Sequence, residues 1–185
     1  LHLASCLHKM KKVAFFQMPS CKEIPGYISL GSNMGDPRAN IAQALQVLRG
    51  MLRVDAVSPV FWTEPQDLRN QDWFANCVAR IMVCAEADPE DLLASLSRVE
   101  QELGRVRNRP SGPRTMDIDI LLLGDLEWHS ETLHIPHPRM CQRAFVLIPL
   151  MHLAPDLRIQ GLRASQWLSR LAYSVEGDRI WQAQP

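Results

Sequence analysis

The order in which two hydrophobic periods alternate along the chain restricts its fold most strongly. Alternating or β-branched apolar residues are typical of strands, whereas an apolar residue at every third or fourth position is typical of a helix. The predicted elements are the strand 27–30, the helix 37–51, the strands 54–63 and 74–84, the helix 89–103 and the strand 115–123. This order is that of the split βαβ arrangement, so we predict an α+β, ferredoxin-like (βαββαβ) fold with an antiparallel sheet.

Both predicted helices begin with the same signal. Asp36 and Asp88 are each followed by a proline, which places a carboxylate at the N-cap and proline at the first helical position. The ferredoxin-like order puts both helices on one face of the sheet. Two additional C-terminal helices, predicted at about 142–153 and 165–173, are then available for the other face, which is also free for a site.

The chain has the length of one domain, and its charge is distributed unevenly. We predict a single domain over residues 26–185 and a disordered extension over residues 1–25. All four lysines lie in the first 22 residues, and the remaining residues carry 16 arginines against 20 acidic residues, a net charge of −4. Because nucleic-acid binding needs a basic surface, we expect no nucleic-acid partner.

Cysteine spacing and hydropathy indicate a cytoplasmic protein. The five cysteines, at 6, 21, 77, 84 and 141, include no C-x-x-C pair. Cys77 and Cys84 lie on opposite faces of one predicted strand and cannot form a disulfide with each other, so we expect free thiols. The apolar stretch 13–16 is far too short to span a membrane, and we expect no membrane partner.

Two acidic residues in the last predicted strand are candidate metal ligands. Asp117 and Asp119 are two residues apart, so their carboxylates emerge on the same face of the strand while Ile118 and Ile120 point into the core. Two neighbouring carboxylates repel each other, and a hard divalent ion such as Mg²⁺ removes that cost. The alternative for such a pair is a set of structural ion pairs with neighbouring arginines.

An arginine-rich loop precedes these two acids. It contains Arg105, Arg107, Arg109 and Arg114, interrupted by prolines and a glycine. Guanidinium groups bind phosphate oxygens with two hydrogen bonds, and several of them on one loop can close over a polyphosphate. Such a run on its own is usually only a solvated loop, but directly before two strand carboxylates it predicts an anion and metal site.

Other signals narrow the choice of chemistry. The body has no lysine after Lys22, which excludes the GxxxxGK[ST] loop, and the chain contains no GxGxxG, HExxH or GxSxG motif. His137 lies between two prolines and is followed by Arg139 and Arg143. A histidine in such a loop is more often a packing residue, although the order of elements allows it to return to the site.

These residues resemble the 6-hydroxymethyl-7,8-dihydropterin pyrophosphokinase family of folate biosynthesis, over about residues 27–157. The family pattern is matched in order by Gly31-Ser32-Asn33, Thr63 with Pro65, Phe74 with Asn76, GRVR, GPRTMDID, Pro136-His137, and Arg143 with Phe145. The GPRxxDxD block is the most specific part. The resemblance implies a ferredoxin-like fold and transfer of the β,γ-diphosphate of ATP to the pterin hydroxymethyl group, with release of AMP.

The resemblance also implies partners and residue roles. The partners are ATP and a pterin, with two Mg²⁺ ions, in a monomer. The implied catalytic residues that hold the phosphates are Arg105 and Arg114, the metal ligands are Asp117 and Asp119, the other ATP-binding residues are Arg107, His137 and Arg143, and the pterin-binding residues are Thr63, Phe74, Asn76 and Phe145. In this interpretation the pterin ring stacks between Phe74 and Phe145.

The chain departs from the family pattern at a few positions. Pro110-Ser111 stands where Arg-Trp is common before Gly-Pro-Arg, which removes an aromatic lid that Trp73 could replace.

Two other functions are possible for such a chain. A two-metal nucleotidyltransferase on a similar sheet is one alternative, and it would release pyrophosphate instead of AMP. An RNA-binding sheet of the RRM type is the other, but it needs exposed aromatic residues and a basic surface.

Overall fold

The computed structural model describes residues 21–66, 70–105 and 112–183, which form an α+β fold. Its strands are β1 (Glu23–Ser32), β2 (Arg53–Val57), β3 (Phe61–Thr63), β4 (Phe74–Cys84), β5 (Asp117–Leu123), β6 (Trp128–His129), β7 (His134–Ile135), β8 (Arg158–Ile159), β9 (Leu162–Arg163), β10 (Tyr173–Glu176) and β11 (Arg179–Gln182). Its helices are α1 (Pro37–Met51), α2 (Pro89–Glu102), α3 (Ala144–Leu153) and α4 (Ala164–Leu168).

Seven strands form the main sheet, in the order β10-β11-β3-β4-β1-β5, with β2 also paired to β4. Every neighbouring pair is antiparallel except β11 and β3, which run parallel with Arg179 opposite Trp62. The sheet is therefore mixed, and the prediction of an antiparallel sheet is wrong at this edge. The short pairs β6–β7 and β8–β9 form separate hairpins.

Strand bounds differ from the prediction at two places. The predicted strand 54–63 is divided into β2 and β3 at Ser58. The Ser58 backbone amide donates to the Val78 carbonyl (2.9 Å), and the Ser58 hydroxyl accepts from the Val78 amide (3.0 Å). This side-chain contact with β4 interrupts the regular backbone ladder. The first strand begins at Glu23, which pairs with Cys84. Residues 23–25, predicted as part of the extension, therefore belong to the sheet, and residues 1–20 lie outside the described residues.

The helix signals in the sequence are confirmed. Asp36 accepts a hydrogen bond from the Ala39 amide (3.0 Å), and Asp88 accepts one from the Glu90 amide (2.9 Å). Both helices pack on one face of the sheet, as predicted. The fully buried residues of that layer include Ile28, Leu30, Leu48, Ala79, Ile81, Leu96, Val99 and Ile120.

The opposite face carries α3 and α4, packed on residues such as Val78 and Leu121. The predicted helix 165–173 is wrong in extent, because α4 ends at Leu168 and Tyr173 begins a β-hairpin. Gln182 at the end of this hairpin accepts from the Ala144 amide and donates to the Gln142 carbonyl, both at 2.7 Å, and so ties β11 to the start of α3.

The described residues also bear on membrane-spanning helices and on disulfides. In residues 21–66, 70–105 and 112–183, no helix has both the length and the apolar character needed to cross a membrane. Cys77 and Cys84 are free thiols, as expected, and both are buried.

Candidate active site

One cleft, with a volume of about 350 Å³, opens on the face of the sheet opposite α1 and α2, between β1, β3, β4, β5 and the start of α3. It contains ten of the eleven residues that the sequence analysis assigned to a site. They are Thr63, Phe74, Asn76, Arg105, Arg114, Asp117, Asp119, His137, Arg143 and Phe145. The eleventh, Arg107, lies outside the described residues, and so does Arg109.

Asp117 and Asp119 enter the cleft from the same face of β5, while Ile118 and Ile120 are buried against the helices. The Asp117 carboxylate lies 2.7 Å from Arg105 Nη1 and 3.0 Å from Arg114 Nη1. Burial raises the pKa of Asp117, and the charge of Asp119 raises it further, against the opposing effect of the arginines. The two acids are therefore held together at an electrostatic cost that cations offset.

Asp119 is the more exposed acid and faces a second pair of cationic groups. Its Oδ2 lies 3.7 Å from Arg143 Nη1 and 4.0 Å from His137 Nε2. Burial lowers the pKa of His137 to about 4, with further lowering by Arg143 and Arg139, so the imidazole is neutral at pH 7. Its Nδ1 accepts from the Arg139 amide (3.1 Å), and its proton therefore lies on Nε2, which faces Asp119.

The loop with His137 is fixed to the strand that carries the acids. The His137 amide donates to the carbonyl of Leu121 at 2.9 Å, two residues beyond Asp119. This bond explains why residues separated by 18 positions meet in one cleft.

Glu100 is a site residue that the sequence analysis missed. It lies on α2, is 3% exposed, accepts from the Ile118 amide at 2.7 Å and also pairs with Arg105. Burial raises the pKa of Glu100, while the Ile118 amide and Arg105 act in the other direction. A signal was present, since Glu100 follows Leu96 by four positions on the apolar face of the helix. Glu100 holds Arg105 and the start of β5 in place.

Asn33 holds the other arginine. It is 3% exposed, and its side-chain oxygen accepts from the Arg114 backbone amide (2.9 Å) while its own backbone amide donates to the Arg114 carbonyl (3.1 Å). The Arg114 guanidinium carbon lies 5.4 Å from the centre of the Phe74 ring. Among the described residues, the buried Nε of Arg114 has no hydrogen-bond acceptor, which leaves this N–H for a ligand.

Aromatic and amide side chains form the wall of the cleft at β3 and β4. Asn76 donates from Nδ2 to Thr63 Oγ1 at 2.6 Å, and both residues are buried. The Asn76 carbonyl oxygen lies against Gly31, where a Cβ would be only 2.7 Å from it. On the opposite side, the Arg143 guanidinium carbon lies 5.5 Å from the centre of the Phe145 ring.

Some residues that line the cleft are not among the predicted site residues, and the candidate lid residue Trp73 does not line it. Glu64, Gln66 and Gln71 also line it. Trp73, considered as a substitute for the missing aromatic lid, packs edge-on against Trp181 with ring centres 5.5 Å apart and is not among the residues that line the cleft.

Comparison with known proteins identifies the family. Residues 27–155 match the family model described as 7,8-dihydro-6-hydroxymethylpterin-pyrophosphokinase (HPPK). The chain belongs to the HPPK family. The predicted resemblance is therefore confirmed, and with it the enzyme class, an ATP-dependent diphosphokinase of folate synthesis.

Two curated bacterial relatives are similar to this chain over most of their own length. The chain is 44% identical to the 2-amino-4-hydroxy-6-hydroxymethyldihydropteridine pyrophosphokinase of Pseudomonas aeruginosa, over 72% of this chain and 82% of the relative. It is 41% identical to the protein of the same name from Methylorubrum extorquens, over 78% of this chain and 92% of the relative.

A solved structure shows the same fold. The wild-type HPPK-DHPS of Plasmodium falciparum has a TM-score of 0.64 to this chain at 14% identity and is matched over 88% of this chain. This chain spans 46% of that one, so the likeness to the HPPK-DHPS structure concerns the fold alone.

Proposed function

We propose that the chain transfers the β,γ-diphosphate of ATP to the hydroxymethyl oxygen of 6-hydroxymethyl-7,8-dihydropterin. The hydroxyl oxygen attacks the β-phosphorus, the bond from that phosphorus to the α-phosphate oxygen breaks, the hydroxyl proton leaves to solvent, and AMP is released. The observation that carries the proposal is the pair Asp117 and Asp119 on one strand face, opposite Arg105, Arg114 and Arg143.

The acid pair fits two Mg²⁺ ions. Both residues offer hard oxygen ligands, which this ion prefers, and Asp117 has a pKa raised by burial and by its neighbour, so added positive charge stabilises the ionised pair. Without the ions, Arg105 and Arg114 neutralise the Asp117 carboxylate. Bound Mg²⁺ would supply charge neutralisation and alignment of the phosphates.

The arginines are then available for the phosphate oxygens. When the acids are neutralised by cations, Arg105 and Arg114 exchange a carboxylate partner for the diphosphate that is transferred. Arg143 and the Nε2–H of His137 lie beside Asp119 and donate to the same phosphates. Arg107 is proposed to join them, on the resemblance to the family pattern alone.

The aromatic wall is proposed to hold the pterin. Phe74 and Phe145 each lie beneath a guanidinium group at the edge of the cleft, and a flat heteroaromatic ring stacks between such rings. The Asn76 Nδ2 donates to Thr63, and the side-chain oxygen Oδ1 is the acceptor that we propose for an N–H group of the ring edge.

We also propose a fold type, a cellular location and an oligomeric state for the protein. The order β5-β1-β4-β3, with antiparallel neighbours and two helices on one face, supports a ferredoxin-like unit extended by the C-terminal hairpin. We place it in the cytoplasm because its described thiols are free. We propose a monomer, supported by the few exposed large apolar side chains in the described part of the chain, which are Met34, Leu126, Tyr173 and Val175.

Product analysis tests this function. With ATP, the pterin alcohol and Mg²⁺, we expect AMP and the pterin diphosphate, whereas a nucleotidyltransferase would form pyrophosphate and a simple kinase ADP. Asp117→Asn and Asp119→Asn should each lower kcat at least about 100-fold, because each removes a charged ligand of the Mg²⁺ ions that stabilise the negative charge of the transition state. Asp125→Asn is the matched control, since this exposed acid lies in the turn that follows the far end of the same strand. Near-normal AMP formation by either variant, with the fold verified by circular dichroism, would refute the metal assignment.

A further inference from the structure

Three ligand-type side chains meet where β1 begins and β4 ends. The sulfur atoms of Cys21 and Cys84 and a carboxylate oxygen of Glu86 all lie within 4.8 Å of one another. The active-site cleft is at the other end of the same strands, about 25 Å away along the sheet at 3.3 Å per residue. This group is therefore separate from the catalytic acids and has no part in the proposed reaction.

The backbone holds the three residues in place. Glu23 pairs with Cys84, the Ala85 amide donates to the Lys22 carbonyl (2.9 Å), and the Ala87 amide donates to the Cys84 carbonyl (3.0 Å). Cys84 and Glu86 thus lie in one hydrogen-bonded turn, and Cys21 lies two residues before the strand that pairs with it.

The side chains already interact in the absence of an ion. The Cys84 thiol donates to Glu86 Oε2 at 2.9 Å, and hydrogen bonds with Cys21 and then Glu86 raise the pKa of Cys84 to about 11. Cys84 is buried, whereas Glu86 is exposed, so the group is open to solvent on the side of the carboxylate.

We propose that Cys21, Cys84 and Glu86 form a zinc site, with water as the fourth ligand. Zn²⁺ accepts two thiolates and a carboxylate in tetrahedral geometry, and Zn–S bonds of about 2.3 Å place two sulfur ligands about 3.8 Å apart, within the observed limit. Mg²⁺ does not suit the site because it requires oxygen ligands. On binding, the two thiol protons leave to solvent and two S–Zn bonds replace the S–H bonds.

Both cysteines of the group are free thiols in the structure, so two sulfur ligands are available to a metal ion. The residue directly opposite Cys84 across the sheet is Glu23, whereas Cys21 precedes β1.

Cobalt titration of the full-length, reduced and metal-free protein tests the site. We expect a thiolate-to-Co²⁺ charge-transfer absorption with one equivalent of Co²⁺, and its loss when Zn²⁺ is added. Cys21→Ser should abolish the absorption and weaken zinc binding at least about tenfold, since loss of even an indirect ligand partner has that effect. Glu86→Gln, an exposed change that leaves the core intact, should also weaken zinc binding. Cys141→Ser is the control and should behave as the wild type.

The outcomes separate this site from the catalytic one. Co²⁺ held by Asp117 and Asp119 has oxygen ligands and gives no thiolate band, so the result does not depend on the diphosphokinase proposal. The absence of the band in the wild-type protein, or an unchanged band in Cys21→Ser, would overturn the proposal. A Cys21–Cys84 disulfide that persists after treatment with reductant, found by mass spectrometry and accompanied by no metal binding, would overturn it too.

Discussion

Adding one methyl group at Gly31 should damage the pterin side of the cleft without touching a charged residue. In Gly31→Ala the new Cβ would lie 2.7 Å from Asn76 Oδ1, which must move by about 0.7 Å to reach an ordinary contact of 3.4 Å. The amide is held on its other side by the 2.6 Å bond to Thr63, so the movement strains or breaks a buried hydrogen bond.

The size of the effect follows from that bond. An unsatisfied buried polar group costs about 1–3 kcal/mol, which corresponds to a decrease in kcat/KM of about 5- to 150-fold if the full cost appears in pterin binding. Most of the change should be in KM for the pterin, while KM for ATP stays close to the wild-type value. Steady-state assays with each substrate varied in turn measure this difference.

A double-mutant cycle shows whether the methyl group acts through Asn76. Asn76→Ala alone removes the side chain that the methyl group would displace, so Gly31→Ala should have little further effect in that background. Additive effects of the two changes would refute the argument. A wild-type kcat/KM in Gly31→Ala, with normal thermal stability, would refute it as well.

Three other changes have expected outcomes. Glu100→Gln removes the charge that holds Arg105, and we expect kcat to fall about 10- to 150-fold from the loss of a charged hydrogen bond, with little change in KM for the pterin, by steady-state kinetics. Phe145→Ala should raise KM for the pterin and leave KM for ATP unchanged, and equal changes in both would contradict its place in the stacking slot. Ile180→Ala, at a position 1% exposed in β11, should cost about 2–5 kcal/mol of unfolding free energy in urea titration. The control Val175→Ala, on the exposed neighbouring strand β10, should change it by less than about 0.5 kcal/mol.

Local rules are sufficient for the starts of α1 and α2 and for the face on which the acids lie. The N-caps Asp36 and Asp88 are confirmed, because capping needs only the residues within one turn. Asp117 and Asp119 share a face of β5 because side chains alternate along any strand.

Local sequence rules do not predict the strand ends or the C-terminal hairpin. The break at Ser58 depends on hydrogen bonds to Val78, which is 20 positions away, and the hairpin 173–182 depends on β3 offering an unpaired edge. A sequence window contains neither partner, so the apolar residues near 165–173 were interpreted as a longer helix.

The sequence by itself determined the starts of α1 and α2, the acid pair and the family, because these depend on spacing and motifs within short segments. Only the tertiary structure decided that Glu100 supports Arg105, that His137 returns to Asp119, and that Cys21 meets Cys84. The physical reason is that a side chain's partner across the sheet is chosen by register and packing, and these are set jointly by strands that lie far apart in the chain.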